Sequence, residues 1–227
     1  MVHVRKTAPA DRQFLLFSAT IPDWVKGVAE EYLKKDYAEV DMAKDLANKT
    51  SKTIKHLMCA APFHKRLSVL ADLLQVYGNQ GQCIVFTTTK NEANTLSLED
   101  SSLTLEKMHG DISQPQRERT LKRFREKKFN VLVATDVAAR GLDIPSVELV
   151  VQIEPPKDVE SYIHRSGRTA RAGKKGTCIT IYNDKTKYLI DIIESRTGIR
   201  LTEVQPPTRD EVRNAGRGGS GGSAVSA

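Results

Sequence analysis

The sequence predicts an α/β fold of three layers, in which helices cover both faces of a mainly parallel sheet. Short apolar runs, many of them β-branched, alternate with longer amphipathic or polar stretches, and repeated strand–helix–strand units of this kind build parallel sheets. Several runs are apolar at nearly every position, as strands buried on both faces require. At 227 residues the chain has room for one domain and part of a second.

The individual elements follow from this alternation. The run 83–86 reads Cys-Ile-Val-Phe and the run 131–134 reads Val-Leu-Val-Ala, which is typical of central strands. Strands are predicted at residues 14–17, 54–59, 83–86, 103–108, 131–134, 147–153 and 177–182. Helices are predicted in the intervening stretches 22–35, 63–77, 90–98, 114–127, 158–171 and 185–196.

The alternation also predicts how the chain is divided. Residues 1–42 supply only one strand and one helix, which cannot bury a core alone, so we expect them to be the end of a preceding domain, a remnant of a first lobe. The polar stretch 43–53 is predicted to be a linker, and residues 54–205 the main domain. Residues 206–227 begin with two prolines, and residues 216–227 are mostly Gly and Ser, which predicts a flexible tail.

Composition restricts the class of partner. The formal net charge of +7 favours a polyanion, nucleic acid first and an anionic membrane surface second. There is no long apolar run, so no membrane-spanning helix is expected. The three cysteines are odd in number and widely spaced, which indicates a reducing compartment. No Cys/His cluster has the spacing of a metal site.

The segment 162–173 concentrates arginine. Arg165, Arg168 and Arg171 recur every three residues, and no acidic residue lies between Ser161 and Asn183. On a helix that continues through residue 171, the three guanidinium groups would share one face, and the planar guanidinium suits phosphate. A solvated helical face is the alternative, but such faces usually intersperse Glu or Asp.

Polar residues follow four of the predicted strands, at 87–90, 109–111, 135–136 and 154–156. Ligands of open parallel sheets bind beyond the carboxyl ends of the strands. The polar residues of any one loop are explained by ordinary turns and helix caps. Because four such loops lie at one edge of the sheet, they predict a ligand-binding site there.

The loop 109–117 carries further candidates. Gly110 permits close backbone approach, and Ser113 is expected to cap the helix that follows. Gln114 and Arg117 lie one turn apart and can reach a nucleic-acid backbone together.

The segment 135–145 leaves two interpretations open. Arg140 and Asp143 would pair with each other, or Asp143 would accept hydrogen bonds from a ribose. No GxxxxGK[ST] loop is present, so the sequence predicts no independent nucleotide site.

Together these residues resemble the DEAD-box RNA helicases, specifically their carboxyl-terminal RecA-like lobe. The resemblance covers residues 12–205, and Ala170 stands where the family usually has Gly. Residues 155–162 are most similar to the nucleolar Gu (RNA helicase II) branch and its organellar relatives. The matching motifs run in the family's order: Ser18-Ala19-Thr20, Ile84-Val85-Phe86 with Thr89-Lys90, His109-Gly110 with Gln114 and Arg117, Thr135-Asp136 through Arg140-Gly141-Leu142-Asp143, and His164-Arg165-x-Gly167-Arg168-x-x-Arg171.

The resemblance implies one half of an ATP-dependent RNA helicase. Arg168 and Arg171 would reach the γ-phosphate as arginine fingers, and Asp143 and Gly141 would contact the nucleotide. ATP and Mg²⁺ would be held mainly by an amino-terminal RecA-like lobe that this chain lacks. The RNA-binding residues implied are Thr89, Gly110, Gln114, Arg117 and Thr135. The residues implied at the interface between lobes are Ser18, Thr20, Arg140, His164 and Arg165.

The same resemblance sets the remaining expectations. This chain alone is expected not to turn over ATP, and to be a monomer that binds RNA and no membrane. The nucleus or nucleolus is the expected location, with an organelle or the cytoplasm as alternatives. Two other functions stay open: a DNA-directed superfamily 2 motor, and a non-enzymatic RNA-binding or adaptor module.

Overall fold

The structure, a computed structural model, describes residues 13–17, 23–40, 53–78, 81–98, 103–136, 144–170 and 173–217. The chain divides into two compact units, Met1–Ala47 and Asn48–Ala227.

In the first unit, helix α1 (Asp23–Tyr32) has Val25 and Ala29 buried. Residues 13–17 have no regular secondary structure, so the strand predicted at 14–17 is wrong. A strand needs a partner to satisfy its backbone, and no described strand pairs with this segment.

The second unit contains the sheet and the other helices. Its strands are β1 (Ile54–Ala60), β2 (Cys83–Thr87), β3 (Leu105–Met108), β4 (Val131–Thr135), β5 (Leu149–Gln152), β6 (Gly176–Tyr182) and β7 (Thr202–Val204). Its helices are α2 (Arg66–Tyr77, after a 3₁₀ turn at Phe63–Lys65), α3 (Lys90–Thr95), α4 (Gln114–Arg125), α5 (Val159–Ser166), α6 (Lys187–Thr197) and α7 (Arg209–Arg217). Across the described ranges, no helix has both the length and the apolar character that crossing a membrane requires.

The described strands pair in parallel throughout, in the order β3-β4-β2-β5-β6-β1-β7. The carboxyl ends of β3, β4, β2 and β5 are therefore neighbours, and the loops that follow them meet at one edge. The predicted three-layer α/β fold with a parallel sheet is confirmed.

The central strands show why both faces are covered. Successive side chains of a strand point to opposite faces. Cys83 and Val85 of β2 belong to the apolar cluster that contains α2, whereas Ile84 and Phe86 belong to the cluster that contains α4. All four side chains are buried, so a continuous apolar run was required at this place in the sequence.

Two elements near the carboxyl end were missed by the sequence analysis. Strand β7 is short and largely exposed, so it has little apolar signal. Helix α7 lies within residues 206–227, for which a flexible tail was predicted. Thr208 and Glu211 cap its start reciprocally: the Glu211 amide donates to Thr208 Oγ1 at 3.3 Å, and the Thr208 amide donates to Glu211 Oε2 at 2.7 Å.

A buried histidine ties α5 to the sheet. His56 Nδ1 of β1 lies 2.8 Å from the Tyr162 hydroxyl, and His56 Nε2 is buried without a partner in the described part of the chain. Burial lowers the pKa of His56 from 6.5 to about 4, because the charged imidazolium would lose its hydration. Burial also raises the pKa of Tyr162, so both groups are neutral at pH 7.

This depressed pKa predicts a loss of stability in acid. The unfolded chain takes up the His56 proton near pH 6.5 and the folded chain only near pH 4, so the free energy of unfolding falls as pH drops between these values. The expected loss is about 3 kcal/mol by pH 4. Urea unfolding midpoints measured from pH 7 to pH 4 should fall more for the wild type than for His56→Gln. Parallel pH profiles for the two proteins would contradict this assignment.

Candidate functional site at the carboxyl edge of the sheet

The loop after β2 is shaped by a capping box. The Thr89 hydroxyl accepts from the Glu92 amide at 3.1 Å, and Glu92 Oε2 accepts from the Thr88 and Thr89 amides at 3.0 and 3.2 Å. The capping box therefore fixes the backbone of Thr89 at the start of α3. Thr89 itself is exposed at the carboxyl edge of the sheet.

A buried arginine connects this loop to the next strand end. Arg66, at the start of α2, donates to Glu92 Oε1 at 2.8 Å and also forms an ion pair with Glu154, which follows β5. Its guanidinium lies 4.6 Å from the centre of the Phe63 ring. This Arg66–Glu92–Glu154 cluster was not predicted from the sequence. Only one part of this arrangement has a pattern in the sequence, the Thr-x-x-Glu spacing of the capping box.

Arg117 holds the loop after β3. Its Nε donates to the Ile112 carbonyl at 3.0 Å, and its Nη2 donates to the carbonyls of His109 and Gly110 at 3.4 and 3.2 Å. The side chain therefore closes its own loop with part of its donor set. Its Nη1 makes no hydrogen bond within the described residues.

The other candidates in this loop are exposed. Gly110 has open space where a side chain would start, and its φ is not in the left-handed region. Gln114 donates to Glu118 Oε1 at 3.1 Å. The predicted Ser113 side-chain cap is wrong, because the Ser113 hydroxyl makes no capping hydrogen bond. Lys90 Nζ lies 3.0 Å from Asp111, which joins this loop to the one after β2.

The end of β4 is joined to α5 by a bidentate ion pair. Arg165 Nε and Nη2 donate to the two carboxylate oxygens of Asp136, each at 2.7 Å. Arg165 Nη1 donates to Gln152 Oε1 at 3.3 Å, and the guanidinium lies 5.4 Å from the centre of the Phe86 ring. Arg165 is 4% exposed, so its charge depends on these partners. Thr135, the residue before Asp136, is buried as well.

This pair corrects the prediction of one continuous arginine face. Helix α5 ends at Ser166 with Gly167 as its C-cap, so the helix predicted to reach residue 171 is too long. Arg165 points into the protein, where Asp136 neutralises it from a distant part of the sequence. Arg168 lies beyond the helix and is half-buried.

The chain around Arg168 is pinned by its backbone. The Arg168 amide donates to the Arg165 carbonyl at 3.1 Å, and the Arg168 carbonyl accepts from the Val147 amide at 3.1 Å. Thr169 Oγ1 donates to the Val147 carbonyl at 2.5 Å, and the two residues form a parallel bridge. The Arg168 side chain thus starts from a fixed point close to the Asp136–Arg165 pair.

The remaining predicted site residues divide into two groups. His164 is exposed on α5, next to the buried Arg165. Ser18, Thr20, Arg140, Gly141, Asp143 and Arg171 lie outside the described residues. Within the described ranges there is no group of three or more His, Cys, Asp or Glu side chains arranged to hold a metal ion.

Comparison with known proteins gives one family. The family model described as "Helicase conserved C-terminal domain" matches residues 65–173. Nucleolar RNA helicase 2 of Mus musculus is 47% identical over 216 residues, which are 94% of this chain and 25% of that protein. ATP-dependent RNA helicase DDX50 of Homo sapiens is 47% identical over 205 residues, 89% of this chain and 28% of that protein. The chain therefore spans about a quarter of the length of these relatives.

Solved structures agree with the sequence comparison. The C-terminal domain of the DEAD-box protein Dbp5 matches with a TM-score of 0.65 and 34% identity, over 73% of this chain and 97% of that chain. S. cerevisiae Dbp5 bound to RNA and ADP BeF3 matches with a TM-score of 0.76 and 32% identity, over 94% of this chain and 57% of that chain. The three-layer fold is therefore RecA-like.

The geometry of the site predicts that Arg165 stabilises the fold. Arg165→Gln should lower the free energy of unfolding by about 3 kcal/mol, because it leaves Asp136 and Gln152 without their shared partner. Arg200→Gln is the matched control, since Arg200 pairs with Glu194 at 3.1 Å but its side chain is 87% exposed. The control should lose less than about 1 kcal/mol. Urea unfolding measures both, and equally small losses would contradict the buried-pair interpretation.

Proposed function

The chain belongs to the DEAD-box family of RNA helicases, whose carboxyl-terminal RecA-like lobe it forms, and we propose that it works as one half of an ATP-dependent RNA motor. In this proposal it supplies arginine fingers to ATP and part of the surface that binds RNA. The amino-terminal RecA-like lobe completes the site, and residues 1–42 are the end of that lobe. Local duplex separation or remodelling of an RNA–protein complex is the expected result.

The observation that carries the proposal is the Asp136–Arg165 pair. It joins the end of β4, where Thr135 is expected to contact RNA, to the helix that leads into Arg168. One buried ion pair thus connects the proposed RNA side and the proposed nucleotide side of the same edge. An isolated adaptor surface would not need that connection.

Arg168 and Arg171 are proposed to act on the γ-phosphate. A guanidinium group stabilises the charge that develops as the phosphoryl group departs, which is worth roughly 10³–10⁵ in rate in other NTPases. The pinned backbone around Arg168 supports this role, because a finger gains from being positioned before the reaction. Asp143 is proposed to accept hydrogen bonds from the ribose, with Gly141 allowing the nucleotide to approach. Mg²⁺, when bound mainly by the other lobe, would neutralise charge on the β- and γ-phosphates.

The RNA-binding residues are proposed to contact the backbone of the strand. Gly110 supports this assignment, since neither its φ nor a neighbouring atom requires glycine there, whereas close approach by a ligand does. Nε and Nη2 of Arg117 donate to carbonyls of the loop, so Nη1 would be able to donate to a phosphate. Thr89, Gln114 and Thr135 complete the set. Such contacts fix the position of the strand and carry no sequence information.

The interface between lobes is proposed to include Ser18, Thr20, Arg140 and His164. Arg165 takes part indirectly, because its guanidinium is engaged by Asp136 and Gln152 within this lobe. It is a positioning residue for Arg168. The proposed location is the nucleus, and within it the nucleolus. The name of the mouse relative, nucleolar RNA helicase 2, supports this location.

The proposal predicts a specific pattern of ATP hydrolysis. This chain alone should show no RNA-stimulated turnover, because it would lack the lobe that holds most of the triphosphate. Joined to its amino-terminal lobe it should hydrolyse ATP when RNA is added, and Arg168→Ala should lower kcat by about 10³-fold or more. Steady-state phosphate release at saturating RNA measures both effects.

A matched variant distinguishes loss of the proposed arginine finger from loss of one positive charge elsewhere on the protein. Arg196→Ala removes an exposed arginine from the last turn of α6, and it should leave kcat unchanged. Robust turnover by this chain alone would contradict the two-lobe proposal. Unchanged turnover in Arg168→Ala would contradict the finger, and absence of hydrolysis in the two-lobe protein would favour an adaptor. Stimulation by DNA equal to that by RNA would favour a DNA-directed motor.

A further inference from the structure

One short stretch of this protein, residues 117–128, has a high density of positive charge. Residues 117–128 contain seven basic and two acidic side chains, in a chain whose formal net charge is +7. Of these residues, the proposed RNA contacts use only Arg117, at the beginning of the stretch. The function proposed above leaves the rest of the charge unexplained.

The charged side chains lie on the outer side of α4 and just beyond its end. Thr120, Leu121 and Phe124 form the buried face of the helix. Arg119, Lys122, Lys127 and Lys128 are exposed, and none of them forms an ion pair with any described residue. We call these four residues the α4 basic surface. Arg123 is not included, because it pairs with Glu106 at 2.8 Å.

Ordinary helix stabilisation accounts for only part of this surface. Basic residues in a last turn favour the helix dipole, which explains Lys122. Glu118 has the correct spacing to pair with Lys122, but it accepts a hydrogen bond from Gln114 instead. Arg119 lies too far from the carboxyl end to interact strongly with the dipole. Arg119 and Lys122 are like charges three residues apart, which destabilises a free helix.

Lys127 lies at a position that disfavours lysine. Its φ is 56°, in the left-handed region. The Lys127 amide donates to the Phe124 carbonyl at 2.9 Å, and the Lys128 amide donates to the Arg123 carbonyl at 3.0 Å. This is a Schellman motif, in which glycine is the favoured residue at the left-handed position. The chain therefore has a lysine where glycine would fold with less strain, which indicates a role outside folding.

The surface is continuous with the proposed RNA site. Helix α4 starts at Gln114, at the carboxyl edge of the sheet, and its 12 residues run away from that edge. Such a helix is about 18 Å long. A strand that leaves the loop at Gly110 and Arg117 can therefore pass over Arg119 and Lys122 towards Lys127 and Lys128.

We propose that the α4 basic surface is a second binding site for the RNA backbone, outside the cleft that binds nucleotide. The occupant is RNA because a row of exposed cations, without ion-pair partners among the described residues, complements a polyphosphate chain. The inference rests on the proposed function only in taking RNA as the polymer. It assigns the surface to sequence-independent retention of RNA, with no part in ATP hydrolysis.

Lys127→Gly tests the proposal, because the substitution is expected to raise thermal stability and to lower RNA affinity. Glycine relieves the left-handed strain, so Tm should rise by about 2–4 °C. RNA affinity should fall by roughly threefold to fivefold near 0.1 M salt, since one phosphate contact is lost. Fluorescence anisotropy with a long single-stranded poly(U) RNA, titrated with this chain at several salt concentrations, measures the affinity.

A second variant and a control complete the design. Lys122→Gln combined with Lys128→Gln should lower the salt slope, log affinity against log salt, by about 1.4 in magnitude. Arg196→Gln, which removes one exposed charge from the last turn of α6, should leave both affinity and slope unchanged. Wild-type affinity in both lysine variants would overturn the second site while leaving the proposed function intact. A wild-type chain that binds no RNA would overturn both.

Discussion

The bidentate pair between Asp136 and Arg165 is the interaction on which the candidate site depends. A guanidinium that is 4% exposed must keep its partners, so the end of β4 and the last turn of α5 cannot move independently. Gln152 at the end of β5 adds a second strand to the same group. Arg168 leaves the helix only three residues later, and its position relative to Thr135 therefore follows from this pair.

Two other arginines hold neighbouring loops in the same way. Arg66 joins Glu92 and Glu154, which supports the loop at Thr89, and Arg117 closes the loop at Gly110 through backbone carbonyls. The carboxyl edge thus has several loops, each fixed by a guanidinium whose planar donors match two acceptors at once. Preorganisation of this kind is what a site for phosphate groups requires, because donors that are already in place need no rearrangement when the ligand binds.

The sequence predicted the sheet well and the site only partly. Runs such as Cys83–Phe86 are apolar because both faces of β2 are covered, so their pattern was sufficient. The Asp136–Arg165 contact joins residues 29 apart in the sequence, and only the register of the strands brings them together. A spacing of three suggested one helical arginine face, but the helix ends before Gly167. The start of helix α7 could have been predicted from the sequence, because Thr208 and Glu211 have the capping-box spacing.

A double-mutant cycle between Asp136 and Arg165 measures whether this ion pair positions Arg168. The quantity to measure is kcat for RNA-stimulated ATP hydrolysis, in the chain joined to its amino-terminal lobe, for Asp136→Asn, Arg165→Lys and the double variant. If the pair positions Arg168 as a unit, the double variant loses no more kcat than the worse single variant, while KM for ATP changes little. Losses that simply add, or single variants with wild-type kcat, would contradict the account.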